Sequence, residues 1–352
     1  MKKVKNMIKE KIFGFVQRSL ENEKNFFYSP IRALLWFFSY FFKTAVYLKN
    51  FLYDKRFLKP KKVKPFVISI GNIVAGGAGK TPFTIYLAAY FLKKQKKVAI
   101  VSRGYGGKIG DQNIVLCKKE NKIFSPEIVG DEPALISNRL CDAYVIVGKN
   151  KVRSAEIAEK LHADVVIVDD GFQHRRLHRD LDLVIVDDQK TSNPHFLPRG
   201  YLRDFFKRLE RTDLVIVSNC IEPRIFDSSR LYTKPNFSCI KDLRGNQKEF
   251  FQKKIGVFCA IARPNFFMEL LKSLGYEIVL EHFGIDHAHF SEDLLKNLAN
   301  QAKEKGAEGL ICTEKDFIKL SFLNTIIPIY YLEIDIKIVS GEDKLIKLVN
   351  EI

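Results

Sequence analysis

The chain has 352 residues, more than one typical domain, and its 46% hydrophobic and 28% charged content is that of a folded globular protein rather than a disordered one. Six scattered cysteines (Cys117, Cys141, Cys220, Cys239, Cys259, Cys312) form no C-x-x-C pair, which argues against a disulfide framework and a zinc site. The formal net charge is +17, yet residues 1–64 hold 16 Lys/Arg against 4 Asp/Glu, leaving +5 for all the rest. Such clustering disfavours a nucleic-acid binder with charge spread over its core, and points the basic, apolar amino-terminal region at anionic lipid headgroups.

Within that region, Met1–Lys24 sets Ile8, Ile12, Phe13, Phe15, Val16 and Leu20 among lysines on a rough helical face. Pro30–Leu58 is stronger, with Leu34, Leu35, Trp36, Phe37, Phe38, Tyr40, Phe41 and Phe42, then Val46, Tyr47, Leu48, Phe51 and Leu52. Its densest apolar run is about ten residues before Lys43, against the roughly 20 needed to span a bilayer. No small-residue cleavage site follows, so a secretory signal is not read. An interfacial amphipathic helix is the preferred reading; a helix packed on the core and a partner-binding helix are the alternatives.

From Lys64 the pattern changes to short apolar runs separated by helical periods. Phe66–Ile70, Val98–Val101, Tyr144–Val147, Val165–Val168, Leu183–Val186 and Leu214–Val217 read as strands. Most are nearly continuous Val/Ile runs, as parallel strands covered on both faces require. Helices are expected between several of them, as at Pro82–Lys94 and Val152–Leu161. The predicted fold class is α/β: a P-loop NTPase-like, doubly wound, mostly parallel sheet.

Directly after the first strand comes Gly71-Asn72-Ile73-Val74-Ala75-Gly76-Gly77-Ala78-Gly79-Lys80-Thr81. Strand, glycine-rich loop and helix form a phosphate cradle, in which backbone N–H groups of Gly76, Gly77, Ala78 and Gly79 turn inward. Lys80 can reach the β- and γ-phosphates, and the Thr81 hydroxyl can hold Mg²⁺. Val74 stands where the strict pattern has glycine, so the loop is a variant built on Gly-Gly-x-Gly-Lys-Thr. A P-loop also needs acidic groups for the metal at a neighbouring strand end, and Val165-Val166-Ile167-Val168-Asp169-Asp170 supplies them.

The run after the Asp pair, Gly171-Phe172-Gln173-His174-Arg175-Arg176-Leu177 followed by Arg179-Asp180-Leu181-Asp182-Leu183, resembles the tetraacyldisaccharide 4′-kinase family. The likeness extends to Gly71-Asn72, Pro82, Ser102-Arg103-Gly104-Tyr105-Gly106-Gly107 and Val129-Gly130-Asp131-Glu132-Pro133. It continues through Leu197-Pro198-Arg199-Gly200-Tyr201-Leu202-Arg203-Asp204, Asp286-His287 and Thr313-Glu314-Lys315-Asp316. The resemblance implies transfer of the γ-phosphate of ATP, with Mg²⁺, to the 4′-hydroxyl of a tetraacyldisaccharide 1-phosphate, giving the bis-phosphorylated lipid A precursor. It also implies a peripheral enzyme on the cytoplasmic side of the inner membrane, with no obligatory protein partner and no nucleic acid.

Carried over by residue, it makes Asp131, His287 and Lys80 catalytic, Asp131 pairing with His287 to prepare the acceptor hydroxyl. An imidazole oriented by a carboxylate suits that role on its own terms. Thr81, Asp169, Asp170 and Asp204 are the metal candidates, and Arg203 meets phosphate. Which of the three aspartates touches metal stays open. The family's Leu-Pro-Ala-Gly-Pro-Leu-Arg-Glu is changed here at Arg199, Tyr201 and Asp204, the last keeping its charge on a shorter arm.

His174 and His178, four residues apart, are read as a polar turn rather than metal ligands. Arg175, Arg176 and Arg179 meet anionic substrate or form a solvated face. Residues 219–254 are polar and read as a linker. A fresh α/β pattern follows, with strands at Gly256–Ile261, Tyr276–Phe283, Gly309–Thr313 and Pro328–Ile336 and helices near Pro264–Leu274 and Ser291–Lys305. The expected organisation is therefore 1–63 amphipathic membrane-associated helices, 64–218 P-loop kinase core, 219–254 linker and 255–352 smaller α/β domain. Asp131 and His287 fall in different domains, so the site is completed at the cleft between them. The competing readings are a nucleotide-switch ATPase or GTPase acting on a protein partner and, on charge alone, a nucleic-acid-dependent ATPase.

Overall fold

The computed structural model describes residues 29–187, 195–220, 227–248, 254–261, 264–284, 288–320 and 324–352. Met1–Lys24, Asp286 and His287 lie outside them.

Helix α1 (Ser29–Asp54) leads into strand β1 (Phe66–Gly71), the loop of interest, and helix α2 (Lys80–Lys93). Then come β2 (Val98–Ser102), edge strand β3 (Ile114–Leu116), α3 (Pro126–Val129), α4 (Asp131–Arg139), β4 (Tyr144–Val147) and α5 (Lys151–Lys160). Strands β5 (Val165–Asp169), β6 (Leu181–Asp187) and β7 (Leu214–Ser218) complete the first lobe. In space the order runs β7-β6-β1-β5-β2-β4-β3, parallel except for the antiparallel edge pair β3–β4. Strand β1 thus lies at the centre with β5 and β6 on its flanks, which is where the order reverses and where ligands bind in open α/β sheets.

The Val/Ile runs are buried on both faces. Ile68, Ile70, Phe83, Leu87 and Phe91 pack on one side, and Val67, Ala99, Val101, Ala155 and Val166 on the other. Burying three to five such residues per strand is what holds the central strands, at roughly 1.5–3 kcal/mol for each large aliphatic side chain.

Residues 219–254, read as linker, hold two strands. Strand β8 (Leu231–Asp242) pairs in parallel with β7 and, over its length, antiparallel with β13 (Ile329–Ser340). Strand β9 (Gln247–Lys248) adds to its end. Pro235 and Lys234 hide β8 in the sequence, since proline inside a run argues against a paired strand. The second lobe then extends the same sheet through β12 (Gly309–Thr313), β10 (Lys254–Cys259) and β11 (Glu277–Phe283), all parallel, so one 13-stranded sheet runs through both lobes. Helices α6 (Pro264–Ser273) and α7 (Glu292–Glu304) cover it, and the single turn α8 (Glu314–Phe317) follows β12. Helix α9 (Glu342–Val349) returns to the first lobe. Its Leu345 and Val349 join the core around Phe83 and Leu87, and Glu342 accepts a hydrogen bond from Tyr86.

Helix α1 is two-sided. Ser39, Val46 and Asn50 are buried against the first lobe, where the Ser39 hydroxyl donates to the Phe196 carbonyl at 2.7 Å. Asp54 closes the helix end, paired with Arg175, Arg208 and Arg211 at 2.9–3.0 Å. Trp36, Phe37, Phe38, Tyr40, Phe41 and Tyr47 stay more than half exposed. No helix of the described residues is long and apolar enough to cross a membrane.

Candidate active site

The loop after β1 is shaped by close backbone approach. Gly71 lies so near Phe172 that an added Cβ would come within 2.4 Å of the Phe172 Cβ, so only glycine fits. Gly79 turns the chain into α2 at φ 77°, a left-handed conformation that glycine adopts without strain. The result points the amino terminus of a 14-residue helix into the loop, with Lys80 and Thr81 as its first residues.

Strand β5 delivers Asp169 at its end, and Asp170 follows at φ 49°. Lys80 Nζ lies 3.5 Å from Asp170 Oδ1. Arg203 donates to both Asp170 oxygens, at 2.8 and 2.9 Å, and to Asn72 Oδ1 at 3.3 Å. Arg203 arrives there because residues 201–203 lie alongside the loop. The Ala75 N–H donates to the Tyr201 carbonyl and the Arg203 N–H to the Ile73 carbonyl, each at 2.7 Å, while Val74 bridges Leu202. Gln173 steadies the opposite side by donating to the Asn72 carbonyl at 2.7 Å. Sequence positions more than a hundred residues apart thus converge on one carboxylate.

Burial works to raise the Asp170 carboxyl, but the Arg203 hydrogen bonds and the nearby Lys80 and Lys151 charges outweigh it and hold it well below the ordinary range. Asp169 is the reverse case: burial pushes its carboxyl up, against the pull of Lys151 and Lys80. Its Oδ2 accepts from the Ser102 hydroxyl at 3.2 Å, while Oδ1 is buried without a hydrogen-bond partner among the described residues. An orphaned, buried carboxylate oxygen beside the helix that Lys80 and Thr81 open fits a small cation with oxygen ligands such as Mg²⁺.

Lys151 joins this group although nothing in the sequence singles it out. It is 5% exposed, and its Nζ donates to the Asp169 carbonyl at 2.5 Å and the Asp170 carbonyl at 2.6 Å, bracing the turn that presents both carboxylates. Burial lowers its pKa, with the two aspartates opposing.

The structure therefore gathers Lys80, Asp169, Asp170 and Arg203 at the loop of Gly76, Gly77, Ala78 and Gly79, with Thr81 beside Lys80 on the opening turn of α2. The described contacts do not join Asp204 to them. It is 2% exposed and its Oδ1 accepts from Asn50 of α1 and from the Phe205 N–H, each at 2.9 Å. Asp131 is buried as the first residue of α4 and pairs with Lys319 from the second lobe at 3.4 Å.

Arg175 and Arg179 have structural partners. Arg175 pairs with Asp54 and donates to the Asn50 carbonyl; Arg179 pairs with Asp182 at 3.0 Å and donates to the Phe172 carbonyl. His178 stands 3.3 Å from Asp180, and burial with nearby Lys151 and Arg176 lowers His174 to about 4. Among the described residues no cluster of three His, Cys, Asp or Glu side chains forms a metal site.

A phosphate-cradling loop, a lysine at its end and a strand-end aspartate pair on one doubly wound sheet define a P-loop α/β enzyme that works on a nucleoside triphosphate. Comparison with known proteins narrows this. The family described as Tetraacyldisaccharide-1-P 4'-kinase, LpxK, matches residues 31–352. The tetraacyldisaccharide 4'-kinase of Syntrophus aciditrophicus is 34% identical over 337 residues, covering 88% of this chain and 90% of the relative. That of Bdellovibrio bacteriovorus is 35% identical over 309 residues, covering 82% and 90%. A crystal structure of LpxK from Aquifex aeolicus in complex with ATP superposes with a TM-score of 0.76 at 32% identity, covering 91% of this chain and 99% of that one. The chain belongs to the tetraacyldisaccharide 4'-kinase family. The nucleotide-switch reading gains no support from these comparisons.

Proposed function

We propose that the chain transfers the γ-phosphate of ATP to the 4′-hydroxyl of a tetraacyldisaccharide 1-phosphate, working at the cytoplasmic face of the inner membrane. The observation that carries this is the convergence of Lys80, Asp170 and Arg203 on the P-loop of a chain that belongs to this kinase family over nearly its whole length. The backbone of Gly76–Gly79 cradles the phosphates and Lys80 reaches their terminal oxygens. Thr81, Asp169 and Asp170 hold Mg²⁺, which when bound supplies charge neutralisation to the phosphates. Asp169 has the uncommitted oxygen and is the stronger ligand candidate of the pair. Arg203, released in part from Asp170 when phosphate arrives, meets the same oxygens; Asp204 acts beside it by tying α1 to this loop.

Asp131 and His287 take the proton of the acceptor hydroxyl as its oxygen bonds the γ-phosphorus and the bond to the ADP oxygen breaks. Closure of the second lobe on the first around both substrates completes this pair, α9 staying with the first lobe. The outward aromatic face of α1, within the basic segment 1–63 of the sequence, lies on the membrane where the acceptor resides.

The test is to incubate the protein with Mg²⁺-ATP and an acylated glucosamine disaccharide 1-phosphate in detergent micelles and weigh the lipid. The expected product gains one phosphate on the distal sugar, and Lys80→Ala abolishes it. Unchanged lipid with ATP still consumed, or full transfer by Lys80→Ala, defeats the proposal.

A further inference from the structure

Lys319 stands in the turn after α8 with its side chain 2% exposed. An ammonium withdrawn from water needs counter-charge and hydrogen-bond acceptors around it. Its partners come from three separate parts of the chain: Asp131 Oδ2 at 3.4 Å, Asp316 Oδ1 at 3.3 Å and the Ala288 carbonyl at 3.2 Å.

Two of these belong to the second lobe, and Asp316 is rigidly held. It is fully buried, and its Oδ2 accepts from the Thr313 hydroxyl at 2.6 Å and the Ala260 N–H at 3.1 Å. Its other oxygen has no hydrogen-bond donor among the described residues and faces the lysine. Thr313 also caps α8 by accepting from the Asp316 N–H. The sequence run Thr313-Glu314-Lys315-Asp316 thereby acquires a structural role, because Thr313 and Asp316 fix the ammonium in place. Glu314 of the same run grips Arg139, at the far end of the helix that Asp131 begins. Helix α4 is thus held to the second lobe at both ends, by its first residue and by its last.

We infer that Lys319 is a positioning residue: carried by the second lobe, its buried ammonium fixes the orientation of the Asp131 carboxylate of the first lobe for proton transfer. The inference rests on the role proposed above for Asp131. A carboxylate aimed by a fixed cation keeps the one rotamer that suits the acceptor hydroxyl, and a misplacement of about 1 Å in such a group costs about 100-fold in rate. The lysine also makes a second buried carboxylate tolerable beside Asp316, since its attraction to both offsets their mutual repulsion.

The test is a double-mutant cycle on the full chain with the micellar transfer assay. Lys319→Met is expected to lower kcat about 100-fold with the KM for ATP changed less than about 2-fold. In an Asp131→Asn background the same change is expected to cost less than about 3-fold more, because the group it aims is already gone. Equal fractional losses in the two backgrounds, or a normal kcat for Lys319→Met while Asp131→Asn is inactive, overturns the positioning role and leaves Asp131 untouched. An active Asp131→Asn overturns the Asp131 reading itself, and the inference with it. If Lys319→Met does not fold, Lys319→Gln keeps a donor for the Ala288 carbonyl without the charge, and the cycle is read on that variant.

Discussion

Arg139→Met isolates what holds the two lobes together. The Arg139 guanidinium is 13% exposed and meets Glu314 through hydrogen bonds of 2.5 and 2.6 Å, Asp335 at 2.8 Å and Glu333 at 3.1 Å. Methionine keeps most of the packed stem, so the change removes charge and donors rather than volume. Glu333 retains Lys241 at 2.5 Å, and Asp335 is 45% exposed and rehydrates at little cost. Glu314, 11% exposed, keeps the more distant charge of Lys241. Removing one partner of a buried pair costs about 3–5 kcal/mol; because Arg139 is not fully enclosed, a loss of about 3 kcal/mol is expected. Burial already pushes the Glu314 carboxyl up, with Arg139 opposing, so in the variant its pKa rises further. A carboxyl raised in the folded state favours folding at low pH, and that contribution fades as pH rises through its folded value. The deficit is therefore larger at pH 8 than at pH 5. Urea unfolding followed by circular dichroism at both pH values measures it, and Arg139→Met/Glu314→Gln is expected to recover more than half. A single-variant loss below about 1 kcal/mol, or a double variant no better than the single, refutes the reasoning.

Two further outcomes are expected. Replacing Trp36, Phe37 and Phe41 of α1 by serine, all more than half exposed, should weaken binding to anionic vesicles by at least about 10-fold while ATP binding is unchanged; equal vesicle affinity would show that this face serves another partner. His174 should make the protein less stable as pH falls from about 6.5 to about 4, because burial, reinforced by Lys151 and Arg176, lowers its folded pKa to about 4 and the unfolded chain binds the proton first. Discounted for its partial exposure the effect is about 1–2 kcal/mol, and His174→Asn should flatten that stretch of the stability–pH curve measured by urea midpoints.

Much of the first lobe is legible in the sequence because its signals are contiguous. Val165–Asp169 announces a doubly covered strand with a carboxylate at its end, and Gly76–Thr81 carries loop, lysine and helix start within six residues. The bond that organises the site, Arg203 on Asp170, has no such local mark; it depends on residues 201–203 lying against Ile73–Ala75, which only the tertiary fold decides. Strand β8 is hidden for a different reason. Its stability comes from pairing along β13, so Pro235 and two lysines are tolerated where strand propensity alone argues against them. Helix α9 has a clear apolar stripe, but a stripe does not say which core it meets, and here it meets the first. Lys151 and Lys319 carry this furthest: each is one lysine among many in a basic chain, and what sets them apart is that the fold removes them from water. An ammonium withdrawn from solvent must be compensated by fixed oxygens. For Lys151 those are the carbonyls of the turn that presents Asp169 and Asp170, and for Lys319 the carboxylates of the two lobes. Charge that reads as solubility in the sequence thus becomes geometry in the fold, and it does so at the two places where the proposed chemistry needs its carboxylates held still.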